Sequence, residues 1–305
     1  MKSSTDADLS AGSLRLGIRE IVDADIDTVI DLLVRGFPNP RRYWEVGFGY
    51  LRTRALPSPM PRYGYLLEAG GNPVGVILLI SSLRRRGDRE ELFSNLSSWY
   101  VEPAFRSHAA QLFKRALANK ETTYLNISAA KHVRPFIEAF NFRRYSTGQV
   151  LASLVLARKR ASTRACIVEL DRFDDSELDE GERQLLKAQA SYGCITFCCR
   201  TSDKTLPFVF VPRVIKGFIP CAQLAYCRNI TDLVEVAGTV GWHLLRHGRP
   251  FVLVDANGPI PGICGKYFPD VAPKYYKGAA IPKLGDVAET EITIFGFGLQ
   301  RVWEA

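Results

Sequence analysis

Apolar and polar residues alternate from Leu14 to Ile21, as they do along a half-buried strand. Asp23-Ala24-Asp25 then supplies helix-capping chemistry, and Ile26, Val29, Ile30 and Leu33 form a stripe at helical spacing that Gly36 ends. Tyr63 to Glu68 and Pro73 to Ile80 read as two strands of a hairpin turning at Gly70-Gly71-Asn72. A strand is expected over Asn95 to Val101, broken by Pro103, and a helix after it with Ala110, Phe113 and Leu117 on one face. Thr123 to Ser128 reads as a strand, Val133 to Phe140 as a short helix, and Phe142 to Val155 as the last strands of this half.

Much the same order returns in the second half. Glu182 to Ala190 is a helix, and Cys194 to Arg200 with Leu206 to Val211 a hairpin across Asp203-Lys204. Cys221 to Cys227 is a strand, and Thr231 to Arg246 a helix striped by Leu233, Val236, Val240 and Leu244. A buried strand over Phe251 to Val254, a short helical piece at Gly265 to Phe268 and a strand over Ala288 to Gly296 complete the expectation. The polar, basic segment Arg158 to Arg164 places a boundary between two units, 14–157 and 165–305. The expected class is α/β, with two mixed central sheets flanked by helices.

At 305 residues, 47% hydrophobic and 24% charged, the chain suits two domains of ordinary size or one large one. No apolar run approaches the roughly 20 residues of a membrane span. The polar opening, Met1 to Ser13, lacks a signal-peptide pattern and reads as a lead-in. Seven cysteines, all in the second half and without a C-x2-C pair, predict buried thiols in a reducing, cytoplasmic setting and no metal site, Cys194, Cys198 and Cys199 included. The charge of +8 is uneven. Residues 1–160 hold 24 Lys and Arg against 15 Asp and Glu, while 161–305 hold 16 against 17. A basic first half attracts polyanions, whether nucleic acid, anionic lipid or a phosphorylated cofactor, and charge alone does not choose among them. No nucleic-acid motif or aromatic–basic interleaving is present, so nucleic acid ranks last among these partners.

Three segments refine that reading: Arg19-Glu-Ile-Val-Asp-Ala-Asp25, Trp99-Tyr-Val-Glu-Pro-Ala-Phe-Arg-Ser-His-Ala-Ala-Gln-Leu112 and Phe136-Ile-Glu-Ala-Phe-Asn-Phe142. With the element order they resemble the GNAT superfamily of N-acyltransferases over most of residues 14–150, in tandem with a degenerate second unit. The resemblance implies transfer of an acyl group from acetyl-CoA or another acyl-CoA to a small-molecule or peptide amine. It places the cofactor at Tyr100, Val101, Arg106, Ser107, His108, Ala109, Ala110 and Gln111. A helix N-terminus offers N–H donors and a favourable dipole to a pyrophosphate. The family's R-x-x-G-x-G turn becomes Arg106-Ser-His-Ala-Ala-Gln111 here, so both glycines are replaced. The matching turn of the second half, Arg228 to Glu235, carries Asp232 and Glu235, which would repel a phosphate.

Catalysis needs a base for the amine. Family members often carry a carboxylate on the strand before the cofactor turn and a Tyr on the following short helix. Here that strand reads Asn95-Leu-Ser-Ser-Trp99, and the Tyr position is Ile137. Ser98, His132 and Tyr145 are the substitutes, each with a plain packing or surface reading beside it. Arg41, Arg42, Tyr43 and Trp44 lie where a substrate lid is expected, or form a helix start. Asp255 and Asn257 follow a buried strand, where ligands gather in α/β sheets, and are also turn formers. Glu289 and Glu291 read as a solvated strand face, and Arg84 to Arg86 as a solubilising loop. Without a base, acid or glycines in the usual places, an inactive acyl-CoA sensor or interaction scaffold is the alternative.

Overall fold

The structure, a computed structural model, describes residues 15–86, 89–157, 165–169 and 178–296. The chain enters through strand β1 (Leu16–Glu20), whose neighbour is β2 (Gly64–Ala69), and the expected stripe becomes helix α1 (Ile26–Gly36) with Val29, Ile30 and Leu33 buried. The lid segment is a second helix, α2 (Arg41–Thr53). The hairpin that follows is longer than expected: β3 (Asn72–Arg86) and β4 (Arg89–Val101) stay paired out to Arg86 and Arg89. Helix α3 (Ala109–Ala116), strand β5 (Thr123–Asn126), helix α4 (Arg134–Ala139) and strand β6 (Arg143–Ala152) complete the first half.

The second half begins with β7 (Cys166–Val168), α5 (Glu180–Ser191), β8 (Ile195–Arg200) and β9 (Thr205–Ile215). It continues through β10 (Ile219–Tyr226), α6 (Ile230–Arg246), β11 (Phe251–Ala256), β12 (Gly265–Lys277) and the one-turn helix α7 (Glu291–Ile294).

The twelve strands of the described residues form one sheet, in the order β1-β2-β3-β4-β5-β12-β6-β11-β10-β9-β8-β7. The order is symmetrical about the central β12–β6 pair. On each flank an antiparallel meander ends in a parallel pair, β4 with β5 and β10 with β11. The last strand of each half then lies beside the fifth strand of the other: β12 pairs with β5, and β6 with β11. The two sheets expected from the sequence are therefore joined by exchanged strands. Gly265 to Phe268, expected as helix, opens β12, because those residues complete a ladder against Gln149 to Ala152 of β6. Left-handed Asp270 (φ 59°) and Ala272 (φ 45°) bend that strand and shift its register.

Helices cover both faces of the first half. Val29, Leu33, Trp44 and Phe48 pack on Leu66, Val76 and Ile80, while Leu112, Phe113 and Ile137 pack on Leu67, Ile77 and Leu96 of the other face. The segment after β12 ties the halves together. Its Gly285 carbonyl accepts from the Cys227 N–H and its Val287 N–H donates to the Ala225 carbonyl. Arg84, read as a solubilising residue, is buried: it pairs with Asp286 at 3.1 Å, donates to the Ala288 carbonyl and lies over the Phe93 ring. The segment ends with Ile294 and Phe295 in the α1–α2 core. Gly47 is required there, since a Cβ on it would stand 1.9 Å from the Phe295 ring.

Candidate active site where β4 and β5 part

Parallel pairing of β4 and β5 lasts three residues, Phe93 with Thr123, Ser94 with Tyr124 and Asn95 with Leu125, and then stops. Asn95 marks the point of divergence. Its buried amide donates to the Leu96 carbonyl of its own strand and the Leu125 carbonyl of the other. Beyond it, β4 gains a residue relative to β3: Leu78 faces Ser97, and Val76 faces Tyr100. Ser98 sits in this bulge with φ 49°, a left-handed conformation that costs a non-glycine residue about 1–3 kcal/mol and recurs at functional sites.

The gap between the strands holds a carboxyl group from the far end of the chain. Ser97 Oγ and Ser128 Oγ donate to the two carboxylate oxygens of Glu291, and its backbone N–H donates to Asn95 Oδ1 at 2.9 Å. Glu291 is only 6% exposed. Burial pushes its carboxyl above the ordinary range, against the two serine hydroxyls and the positive Lys274 and Arg213, which pull it down. The Ala288–Gly296 stretch therefore forms a one-turn helix and not a strand, and Glu291 is buried and not solvated. Nothing in the alternation Glu291-Ile-Thr-Ile294 signals this. The helix is fixed by its seat in the gap, a contact with residues some two hundred positions away.

Tyr43 approaches from α2. Burial raises its hydroxyl pKa, and the neighbouring Glu291 raises it further. Its ring packs edge-on against Trp44 at 4.8 Å and against Phe295 at 5.6 Å. Thr293 of α7 also lines a cavity of about 130 Å³, together with Tyr192, Cys194, Arg213 and Arg249 among others. Arg213 is buried, donates Nε–H to Gln223 and Nη1–H to the Gly296 carbonyl, and has its pKa pulled down to about 10 by burial.

β4 leads through Glu102 into a 3₁₀ turn, Pro103 to His108, that runs straight into α3. The Phe105 N–H is bonded to the Glu102 carbonyl and the Ala109 N–H to the Arg106 carbonyl, so the turn is closed where the sequence suggested an open, Arg-led loop. No acidic residue lies in the first turn of either helix. Arg106, Ser107 and Gln111 are exposed and Ala109 and Ala110 half-buried. The His108 Nδ1 atom is buried without a partner among the described residues. The turn thus presents the Arg106 guanidinium, the Ser107 hydroxyl and the Gln111 amide at the surface.

No family model matches the sequence, and no curated protein matches it. Solved structures do. A GCN5-related N-acetyltransferase from Anabaena variabilis superposes with a TM-score of 0.55 at 10% identity, over 86% of this chain and 72% of that one. The GCN5-related N-acetyltransferase of Kribbella flavida gives 0.53 at 10%, over 87% and 71%, and a probable N-acyltransferase from Enterococcus faecalis 0.54 at 9%, over 90% and 74%. The chain has the GNAT acyltransferase fold.

Within this GNAT fold the other sequence-derived residues are scattered. Ser98 stands at the gap, its Oγ 3.0 Å from that of Ser97. Tyr100 packs against α1, where a Cβ on Gly36 would meet its ring at 2.4 Å, and Val101 is core. His132 is exposed on the turn before α4. Tyr145 lies on β6, two strands from β5, its hydroxyl buried without a partner among the described residues. Arg41 pairs with Asp27, Asp31 and Glu45, which links α2 to α1. Arg42 is exposed and Trp44 is 1% exposed in the core. Asn257 accepts from the Thr147 N–H and donates to the Tyr145 carbonyl, fastening the loop after β11 to β6. Asp255 is buried against Lys274 at 2.9 Å. Among the described residues, no group suited to a metal ion occurs and no helix is long and apolar enough to cross a membrane.

Proposed function

We propose that this protein is an N-acyltransferase that takes its acyl group from acetyl-CoA or another acyl-CoA and delivers it to a small-molecule or peptide amine in the cytoplasm. The supporting observation is the gap between β4 and β5, with its bulge at Ser98, placed directly ahead of the 103–111 turn. Strands that part leave N–H and C=O groups without ladder partners; apart from the Leu96 and Leu125 carbonyls, which the Asn95 amide satisfies, these would suit the amides of an extended ligand. Arg106, Ser107 and His108 would hold the phosphate end, and the thioester would supply an activated acyl carbon. In this reading the chain comprises two acyltransferase-like units, 14–157 and 165–305. The second has no phosphate turn of its own: Arg228 is gripped by Glu182, and Lys204 pairs with Asp232 and Glu235.

The closed 3₁₀ turn, without glycine, favours a second reading in which the same cleft senses acyl-CoA without turnover or serves as a scaffold. Calorimetric titration with acetyl-CoA and a long-chain acyl-CoA, on wild type and Arg106→Glu, tests the first step. Saturable binding that the variant loses supports acyl-CoA at this turn. No binding of either thioester refutes the proposal and leaves the scaffold.

A further inference from the structure

Strand β4 offers no acidic side chain at the gap, yet the gap contains one. Glu291 reaches it from α7, the last described helix, 194 residues from its partner Ser97. Three features set it apart from an ordinary buried acid. Both oxygens are fixed by hydroxyls, one on β4 and one in the bend just beyond β5. One of those hydroxyls belongs to Ser128, an exposed residue, so one bonded neighbour of the buried carboxylate reaches solvent. No cation closes on it as an ion pair within 4 Å among the described residues, although Lys274 and Arg213 act on it from farther away.

We infer that Glu291 is the general base of the first half's site, carried there by the second half of the chain. The inference rests on the acyltransferase reading. The step is one proton transfer: an ammonium N–H proton passes to Oε1 and leaves a neutral amine. Nitrogen then forms its bond to the thioester carbonyl carbon, the C–S bond breaks with its electron pair on sulfur, and the remaining extra proton on nitrogen goes to that thiolate. Glu291 returns its own proton to solvent past Ser128. A base works best when its pKa lies near the working pH. Burial moves Glu291 in that direction, while Ser97, Ser128, Lys274 on β12 and Arg213 on β9 oppose it; Tyr43 on α2 is the remaining titratable neighbour. Asn95 and the two serines are positioning residues: they set the carboxylate across the opening. The chemistry of the first half would then depend on a segment threaded through the second half and pinned by Arg84 and Gly47.

The test uses the full chain, with acetyl-CoA as donor and tyramine, spermidine and Gly-Gly as acceptors. Glu291→Gln keeps size and hydrogen bonding. It should bind acetyl-CoA as wild type does by calorimetry, lose kcat/KM by about 100-fold or more, and lose the acidic limb of the pH–rate profile. Glu289→Gln, which alters only an ion pair with Arg54, should leave both unchanged. In ligand-free protein labelled with ¹³C-glutamate, one side-chain resonance should titrate above the ordinary carboxylate range and be missing from Glu291→Gln. Full turnover in that variant, or acetyl-CoA binding by wild type without transfer to any of the three amines, overturns the assignment of Glu291. Absence of acetyl-CoA binding overturns the acyltransferase reading itself, whatever Glu291 does.

Discussion

Replacing Lys274 with methionine probes the seam where the two halves exchange strands. Lys274 on β12 and Asp255 on β11 flank β6, and their side chains are 1% and 2% exposed with Nζ and Oδ1 2.9 Å apart. Gln149 on the intervening strand donates to the same oxygen at 2.9 Å, so three neighbouring strands meet at one buried carboxylate. At that distance and an effective dielectric near 20, the attraction between unit charges is about 6 kcal/mol. Methionine keeps the length of the side chain and removes the charge, leaving Asp255 buried with only Gln149 beside it. Its Oδ2 atom already lacks a partner among the described residues. Removing one member of such a pair costs about 3–5 kcal/mol, whereas replacing both with apolar residues is often close to neutral. Urea unfolding at pH 7 should therefore show Lys274→Met losing about 3–5 kcal/mol with an unchanged slope, and Lys274→Met with Asp255→Leu recovering most of it. A loss below about 1 kcal/mol, or a double variant no better than the single one, would refute the view that this pair fastens the exchanged strands.

Two further outcomes follow from buried groups. His243 on α6 packs on Phe197 at 4.3 Å, and burial, then His247 and Arg246, pull its pKa down to about 4. The unfolded chain takes up this proton near pH 6.5 and the folded chain only near 4. Stability should thus fall as pH drops through that window, by about 3 kcal/mol at its acid end. His243→Phe should flatten the wild-type difference in urea midpoint between pH 7 and pH 5; an unchanged difference would count against it. Of the seven thiols, Cys166 and Cys264 are exposed, while burial pushes those of Cys194 and Cys199 up to about 12. A thiol reagent such as Ellman's should modify two cysteines quickly in the native protein and the other five only on unfolding.

The amphipathic elements were legible because each is specified by its own residues. The Ile26–Leu33 stripe, the Gly70-Gly71 turn and the Thr231–Arg246 helix all stand where period and turn chemistry put them, and the fold class follows from their order. The turn after β4 was visible as composition; its closure into a 3₁₀ helix depends on backbone bonding that residues other than glycine permit but do not spell out. Other features have no local cause. Gly265 to Lys277 is a strand because β5 and β6 leave a place for it, and Glu291 to Ile294 is a helix because the gap between β4 and β5 receives it. Arg84 is buried because Asp286 comes to meet it. Arg41 meets three carboxylates, two of them on α1, that come together only when α1 and α2 pack. The sequence by itself determined which segments are helices, strands and turns wherever hydrophobic period decided the matter. Tertiary structure alone decided the exchange of β6 and β12 and the placing of a carboxylate at the gap, because both depend on contacts between residues more than a hundred positions apart, which no local pattern records.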